Sequence, residues 1–452
     1  MIVAYLAEKL CKDFIKKAPN IGQILFVFSI LKTYIFWIKE REYTFIVYCQ
    51  WARDTLNDTT KLKKKYDMHK TIFYFFYNFV SHMATLYFHI PFCKRICSYC
   101  DFYKVGALSL IPQVVEGMHR ELEARSNYTR ERKLTSIYFG GGTPSLLQPA
   151  EIERFISHAR ELFDCSAVGE ITLEANPDDL TEEYVAELAK TSVNRVSLGI
   201  QSFDDGALQL MNRRHSAAEA IEAVLRLKRY GLDNISIDII FGVAGYGGES
   251  LRRTLDEAIK LNVGHISAYH LTIEERTRLG VMTRKGEYTP IDDEASEAEY
   301  RMVHDALTAA GYEHYEVSNY AREGCRARHN SAYWQGVEYL GIGPGAHSFA
   351  GDNRTWCTSS AKEYAEGVVL YESEELTVLD HLNEYVMTSL RRMEGVDLCH
   401  IANHFGAVHA KRIEAAAAEW IRSGVVRYES DRLAIAPEKF LVSDAVIESF
   451  FA

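Results

Sequence analysis

Three cysteines stand close together in the run Cys93-Lys-Arg-Ile-Cys97-Ser-Tyr-Cys100. The chain has 9 cysteines in 452 residues, which is far fewer than a disulfide-stabilised fold needs. Three thiolates from one loop can bind three irons of a [4Fe-4S] cubane and leave the fourth iron open to an external ligand. Zinc is the alternative, but zinc usually takes four ligands in paired spacings, and no second pair lies nearby. The spacing therefore predicts an iron–sulfur cluster in a reducing compartment.

A second set of residues that could bind a ligand follows further along the chain. The run Gly140-Gly141-Gly142-Thr143-Pro144 offers bare backbone that a ligand can approach closely and the Thr143 hydroxyl, although it could equally form a tight turn. Glu174 could accept hydrogen bonds from ribose hydroxyls or could be an ordinary surface acid. Three more polar side chains need either a structural partner or a ligand, and they are Gln201, Arg213 and Asp238.

These residues lie where short apolar runs alternate with amphipathic stretches of about 12–20 residues, as in βα units. The candidate strands are 86–90, 136–139, 171–174, 195–200, 235–241 and 265–269, and the candidate helices between them are 111–125, 150–162, 181–190, 217–230 and 250–261. Six strands in this spacing predict an α/β fold with a partial (β/α)6 parallel barrel over residues 83–315. The chemistry of such a barrel lies at the carboxyl ends of its strands, which is where the residues above fall.

The pattern changes in the last third of the chain. Residues 316–375 are rich in loop-forming sequence, such as Gly341-Ile-Gly-Pro-Gly345, and we expect them to cover the barrel. Residues 376–452 show helices followed by a β-hairpin, which predicts a helical, winged-helix-like C-terminal domain. Winged helices often bind DNA, but acidic residues are interspersed here and no basic helix face emerges. A packing, dimer or lid role is therefore expected, and nucleic acid is not an expected partner.

Residues 1–82 form an aromatic-rich, basic leader that differs from the rest of the chain. They hold 13 Lys and Arg against 7 Asp and Glu, a net charge of +6, whereas residues 83–452 have a net charge of −17. The apolar stretch 21–38 contains Gln23 and Lys32, which makes it a marginal membrane span. A weak membrane anchor and a buried or disordered appendage are two interpretations. A sequence upstream of a native start at Met83 is the one we favour.

The C-x3-C-x2-C spacing resembles the signature of the radical S-adenosylmethionine (radical SAM) superfamily. In that superfamily the amino and carboxylate groups of SAM chelate the open iron, and electron transfer into the sulfonium yields a 5′-deoxyadenosyl radical. The order of a tyrosine, the cysteine triplet, Gly-Gly-Thr, and then Glu, Gln, Arg and Asp is similar to that of the coproporphyrinogen III oxidase-like branch. This resemblance implies that SAM is bound by Tyr87, Gly141, Gly142, Thr143, Glu174, Gln201, Arg213 and Asp238.

Two features distinguish members of that branch. Oxygen-independent coproporphyrinogen III oxidases carry a fourth cysteine two residues after the third, where this chain has Phe102. The string from His329 to Trp334, His-Asn-Ser-Ala-Tyr-Trp, matches the H-N-x-x-Y-W haem-binding motif of the HemW-type haem chaperones. An imidazole can ligate haem iron and aromatic rings can pack on a porphyrin, although a His–Asn turn with a Tyr–Trp core pair would look the same. The resemblance implies that haem contacts His329, Tyr333 and Trp334.

Over residues 83–452 the resemblance implies a cytoplasmic haem chaperone that binds a 4Fe-4S cluster, SAM and haem and passes haem to acceptor haemoproteins, with respiratory haemoproteins as the expected class. An electron donor for the cluster is implied as a partner, while contact with a membrane surface and a homodimer stay open. The main alternative is an oxygen-independent coproporphyrinogen III oxidase, which Phe102 argues against. Two further alternatives are a haem-degrading radical SAM methyltransferase and a DNA-binding regulator.

Overall fold

A twelve-stranded mixed sheet is the main element of the computed structural model, which describes residues 83–451. The strands are β1 (Ala84–Ile90), β2 (Leu134–Gly141), β3 (Glu170–Ala175), β4 (Arg195–Gln201), β5 (Ile235–Phe241), β6 (His265–His270), β7 (Glu313–Glu316), β8 (Asn319–Ala321), β9 (Glu338–Ile342), β10 (His347–Ala350), β11 (Asn353–Cys357), β12 (Tyr371–Glu375), β13 (Val396–Asp397), β14 (Val426–Glu429) and β15 (Arg432–Ile435). The predictions for residues 1–82 lie outside the described residues.

The helices connect and cover these strands. They are α1 (Ile111–Ala124), α2 (Pro149–Leu162), α3 (Glu182–Leu188), α4 (Asp205–Leu210), α5 (Ala217–Arg229), α6 (Glu249–Lys260), α7 (Arg278–Arg284), α8 (Asp293–Ala309), α9 (Arg328–Trp334), α10 (Ala361–Ala365), α11 (Val378–Leu390), α12 (Leu398–His404), α13 (Ala407–Arg422) and α14 (Ser443–Phe450). Their starts follow local sequence signals, as in α5, where Ser216 and Glu219 form a reciprocal capping box.

Strands β1 to β6 pair in parallel and in sequence order. The α/β fold with a partial (β/α)6 barrel is thereby confirmed. The two faces of each strand differ, as β1 shows: Leu86 and Phe88 are fully buried, and the Phe88 ring lies 4.8 Å from that of Phe155 on α2. Tyr87 and His89 point to the opposite face, which is the inside of the barrel. The apolar faces thus hold the helices, and the inner face is free to carry polar groups.

Residues 316–375 do more than cover the barrel, because they extend its sheet. Strand β9 pairs in parallel with β1, and β10, β11 and β12 continue antiparallel beyond it. Of the glycines that suggested a loop, Gly343 and Gly345 do form the turn between β9 and β10, whereas Gly341 lies within β9 and serves close packing, since a Cβ on it would clash with the carbonyl oxygen of His347. Strand β12 ends the sheet, and all five of its residues, Tyr-Glu-Ser-Glu-Glu, are exposed.

The C-terminal region contains the three-stranded sheet β13-β15-β14 with helices α12, α13 and α14 around it. It packs against the barrel through α8 and β7: Tyr300 Oη donates to the Pro437 carbonyl at 2.6 Å, and the buried Phe440 ring meets the His314 ring edge to face at 5.2 Å. The boundaries predicted at 315 and 375 therefore have contacts across them. Among residues 83–451, no helix is both long and apolar enough to span a membrane.

Candidate functional site

The three cysteines lie in the long loop between β1 and α1, at the carboxyl ends of the barrel strands. The loop is closed at its base by backbone bonds from Cys93 to Val105 (3.1 Å) and from Val105 to Pro91 (2.7 Å). At its far side Ser98 binds the end of α4, with its hydroxyl donating to the Leu210 carbonyl at 2.6 Å. The loop that carries the thiols is thus held at its base and near its middle.

The three thiols are partly buried and have polar side chains beside them. Burial raises the pKa of the Cys93 and Cys100 thiols, so a free thiolate is disfavoured there. Compensating donors are present: the Thr143 hydroxyl lies 3.5 Å from the Cys93 Sγ, and an Arg213 nitrogen lies 3.2 Å from the Cys97 Sγ. Within the described part of the chain no three His, Cys, Asp or Glu side chains converge on one ion. A cubane differs in that each thiolate binds a separate iron, so these donors fit a [4Fe-4S] cluster.

Arg213 ties the cluster loop to two strands of the barrel. Besides Cys97, its guanidinium donates to the Asn176 side-chain oxygen at 2.6 Å and to the Gly199 carbonyl at 2.5 Å. The Arg213 Nε is buried with no partner among the described residues. Asn176, directly after β3, escaped the sequence-based set, although its place at a strand end two residues after Glu174 was a usable signal.

The glycine run after β2 brings that strand's end against the cluster loop. Gly141 has a φ of +107°, a conformation that favours glycine. A Cβ on Gly142 would lie 2.7 Å from the carbonyl oxygen of Phe92, which precedes Cys93. The bare backbone at both positions is therefore required for this close approach, and a larger residue at Gly142 would push the cluster loop away.

A polar group lies inside the barrel, directly below the loops. Glu174 accepts from Tyr138 Oη at 2.7 Å and from the Gly141 amide at 3.2 Å. Burial, offset in part by these bonds, raises the pKa of Glu174 to about 7, and burial raises the pKa of Asp238 to about 6. Both carboxyls are only partly covered, and the Tyr87 ring stacks on that of Tyr138 at 6.0 Å. Four strands thus direct hydrogen-bonding groups into the interior of the barrel.

Gln201 ends β4 with an unusual backbone. Its φ of 72° lies in the left-handed region although it is not a glycine, and its pairing with β5 shifts register at this point. A Cβ on Gly199 would lie 2.9 Å from the Gln201 side-chain nitrogen, so the amide folds back along its own strand beside Arg213. Residues held in such backbone conformations cluster at ligand sites.

The H-N-x-x-Y-W string forms α9, which lies at the opposite, amino-terminal side of the barrel strands. The His329 side chain is 1% exposed, and its ring nitrogens lie 2.8 Å from Ser136 Oγ and 3.1 Å from Tyr333 Oη. Burial lowers the pKa of this imidazole to about 3. The ring also stacks on Tyr138 at 4.8 Å. The predicted cluster residues therefore lie at the carboxyl end of the barrel strands, whereas His329 enters from the amino-terminal side and its ring lies 6.4 Å from that of the predicted SAM residue Tyr87.

The start of α9 is held by a carboxylate that the sequence did not single out. Glu170, the first residue of β3, accepts from the backbone N–H groups of Arg328 and His329 at 2.9 Å each. Residue Ala327 before the helix has no side chain that could cap it. Glu170 therefore fixes the position of His329, and Trp334 at the other end of α9 is only partly buried.

A parallel barrel with three cysteines after its first strand and polar groups at the following strand ends defines a radical SAM protein. In agreement, residues 87–258 match the family model described as "Radical SAM superfamily". The solved structure of coproporphyrinogen III oxidase (HemN) from Escherichia coli shares the fold, with a TM-score of 0.70 over 83% of this chain and 93% of that chain at 21% identity.

Similar proteins of known name identify the family within the radical SAM superfamily. The protein named "Heme chaperone HemW" from Lactococcus lactis is 32% identical over 367 residues, covering 80% of this chain and 96% of the relative. Its namesake from Mycobacterium tuberculosis is 33% identical, covering 80% and 94%, and that from Escherichia coli is 33% identical, covering 69% and 83%. The chain belongs to the HemW family of radical SAM proteins.

Proposed function

We propose that this protein binds haem and passes it to acceptor haemoproteins, with respiratory haemoproteins as the expected class. The main support is the similarity to proteins named haem chaperones over nearly the whole length of those relatives. The H-N-x-x-Y-W string adds sequence-level support. A cytoplasmic location and an electron donor for the cluster belong to the same proposal.

The residues at the barrel mouth fit a cluster and SAM. Cys93, Cys97 and Cys100 would hold the cluster, which with SAM bound would supply one-electron chemistry at the sulfonium. The chain's own part is positioning: Arg213 offsets negative charge at Cys97 and fixes the loop to β3 and β4. Glu174 lies where an accessible carboxylate can accept hydrogen bonds from a ribose. The remaining SAM contacts that we propose are Tyr87, Gly141, Gly142, Thr143, Gln201 and Asp238.

Haem contact through α9 would require a conformational step. Both ring nitrogens of His329 are occupied, by Ser136 and Tyr333, so the imidazole must leave one of them to meet iron. The partly buried Trp334, at the end of the helix, is more accessible. In this proposal α9 opens when haem binds, and Tyr333 and Trp334 supply packing surfaces for the porphyrin.

The coproporphyrinogen III oxidase reaction is the second candidate, favoured by the shared fold with HemN. The residue at the position of the fourth cysteine, Phe102, argues against this activity. Phe102 is 73% exposed beside the cluster loop and offers no thiol for chemistry or ligation. At 21% identity the resemblance to HemN shows the fold and does not extend to its activity.

The test is an anaerobic comparison of both activities on the same cluster-reconstituted protein. We expect stable haem binding, transfer of haem to an apo-haemoprotein, and no consumption of coproporphyrinogen III. A Cys97→Ala variant, which removes one cluster ligand, is the control that separates cluster-dependent from cluster-independent binding. Formation of protoporphyrinogen IX with a matching yield of 5′-deoxyadenosine would overturn the proposal in favour of the oxidase.

A further inference from the structure

A buried carboxylate lies beside the cluster loop, outside the set of residues that contact the thiols. Asp179 ends the short turn Pro177–Asp179, which follows β3, and its side chain is 2% exposed. An ionised carboxylate is rarely buried unless cations and hydrogen-bond donors surround it, because burial disfavours an unpaired charge. The side chains around Asp179 therefore show which parts of the chain it holds together.

Three segments of the chain supply these neighbours. Lys94, in the cluster loop, donates to Asp179 Oδ1 at 2.7 Å. Ser145, in the turn after the glycine run, donates its hydroxyl to Oδ2 at 2.9 Å. Arg214, just ahead of α5, places one guanidinium nitrogen 3.1 Å from Oδ2 and 3.2 Å from Oδ1. One carboxylate thus joins the segments that follow β1, β2 and β4 to its own segment after β3.

Each of these segments also carries a group at the thiols. The cluster loop carries Cys93, one residue before the lysine that Asp179 binds. Thr143, in the same turn as the serine, has its hydroxyl 3.5 Å from the Cys93 Sγ. Arg213, next to the arginine that pairs with Asp179, has a nitrogen 3.2 Å from the Cys97 Sγ. The carboxylate therefore links the three segments that meet at these two sulfurs.

The charges around this carboxylate balance. Asp178, the neighbour of Asp179, pairs with the same Arg214 guanidinium at 2.5 Å, so two carboxylates face the two cations of Lys94 and Arg214. The Arg214 side chain is largely buried, whereas that of Lys94 is 46% exposed. Without the charge of Asp179, the lysine would lose its ion pair and the guanidinium would keep one carboxylate partner instead of two. The cluster loop would then be free to move away from β3.

We propose that Asp179 is a positioning residue for the cluster. Its carboxylate holds the cluster loop, the turn after the glycine run and the connection after β4 in the arrangement in which three thiolates bind one cubane. Residues that orient the ligands of a metal site, without binding the metal themselves, raise the affinity of the site. This inference rests on the cluster that we propose for the three cysteines, and Asp179 acts through its neighbours.

The experiment compares cluster retention in the full chain after anaerobic reconstitution. The variants are Asp179→Asn, which keeps the shape of the side chain and removes its charge, and, as matched control, Asp233→Asn, at an exposed position ahead of β5. Capture of ferrous iron by ferrozine gives the rate of iron release, and electron paramagnetic resonance gives the spectrum of the reduced cluster. We expect Asp179→Asn to release iron at least about tenfold faster and to change the spectrum. Asp233→Asn should match the wild type in both.

Lys94→Met is a second variant that breaks the same link from its exposed side, and it should also release iron faster than the wild type. Because Lys94 and Asp179 act on one contact, the double variant should be slowed by less than the product of the two single effects predicts, that is, its iron release should be less accelerated. Independent damage at two places would multiply the accelerations and would contradict the positioning role.

The outcomes separate this inference from the proposal on which it rests. Iron release and a spectrum like those of the wild type in Asp179→Asn would overturn the positioning role and leave the proposed cluster site standing. Failure of the wild type to form a [4Fe-4S] cluster would instead overturn the cluster site itself.

Discussion

Glu174 is a largely buried carboxyl, accessible in part from the barrel interior, and its titration links the site to folding. Its pKa is raised from 4.5 to about 7, so the folded protein holds the proton more tightly than the unfolded chain does. Stability contributed by the protonated acid is therefore present below about pH 4.5 and is lost as the pH rises through about 7. Glutamine does not titrate. From about pH 4 to about pH 8, the free energy of unfolding of Glu174→Gln should rise relative to wild type by up to about 3 kcal/mol.

Urea unfolding of the cluster-free protein across this pH range measures the difference. Glu183→Gln, which alters an exposed glutamate on α3, is the matched control and should run parallel to the wild type. Parallel curves for Glu174→Gln and wild type would show that the Glu174 carboxyl titrates normally and that its surroundings in the barrel are well hydrated.

At the scale of the elements, α9 depends on a residue from another part of the chain. Glu170→Ala removes the acceptor of two helix N–H groups at a buried helix start. We expect a loss of about 1–3 kcal/mol in local stability, and hence amide exchange in residues 328–334 faster by about 10- to 100-fold. Hydrogen–deuterium exchange with mass spectrometry measures this. Glu182→Ala, which breaks exposed ion pairs and an exposed hydrogen bond from Tyr230, should leave α9 unchanged, and equal exchange in both variants would refute the capping role.

The elements differ in how far sequence predicts them. Strands β1 to β6 could be predicted because apolar runs alternate with amphipathic helices of ordinary length. Strands β9 to β12 could not, because the glycines at 341, 343 and 345 suggest one continuous loop, whereas Gly341 belongs to β9 and only Gly343 and Gly345 form the turn to β10. The backbone of β10 against Gly341 and the carbonyl of His89 against Gly343 become visible only in the fold. The local sequence pattern does not predict where segments that are distant in sequence approach each other closely.

The same limit applies to the site. The cysteines, the glycine run and Glu174 could be predicted to meet because all follow parallel strands at the same end. The environment of His329 could not, since its partners Glu170 and Ser136 lie 159 and 193 residues away in sequence. A motif shows which residue types are present, and their burial is decided by the tertiary fold.

At the scale of the whole molecule, the described residues belong to one compact unit, in which the C-terminal region packs on the barrel. Phe440 is 1% exposed at that contact, so Phe440→Ala should cost about 3–5 kcal/mol and shift one common unfolding transition. Circular dichroism and tryptophan fluorescence should report the same midpoint. Val442→Ala, at an exposed position nearby, should change stability by less than about 0.5 kcal/mol. Two separate transitions would show that the C-terminal region folds independently.

The outermost strand β12 bears on how copies of the protein behave toward one another in concentrated solution. An open strand edge invites a second chain to add to the sheet, and natural proteins oppose this with charge. Three of the five exposed residues of β12 are glutamates, so two such edges brought together would repel. Pairing of two copies through this edge is therefore disfavoured, and neutralising these glutamates should make the protein prone to aggregate.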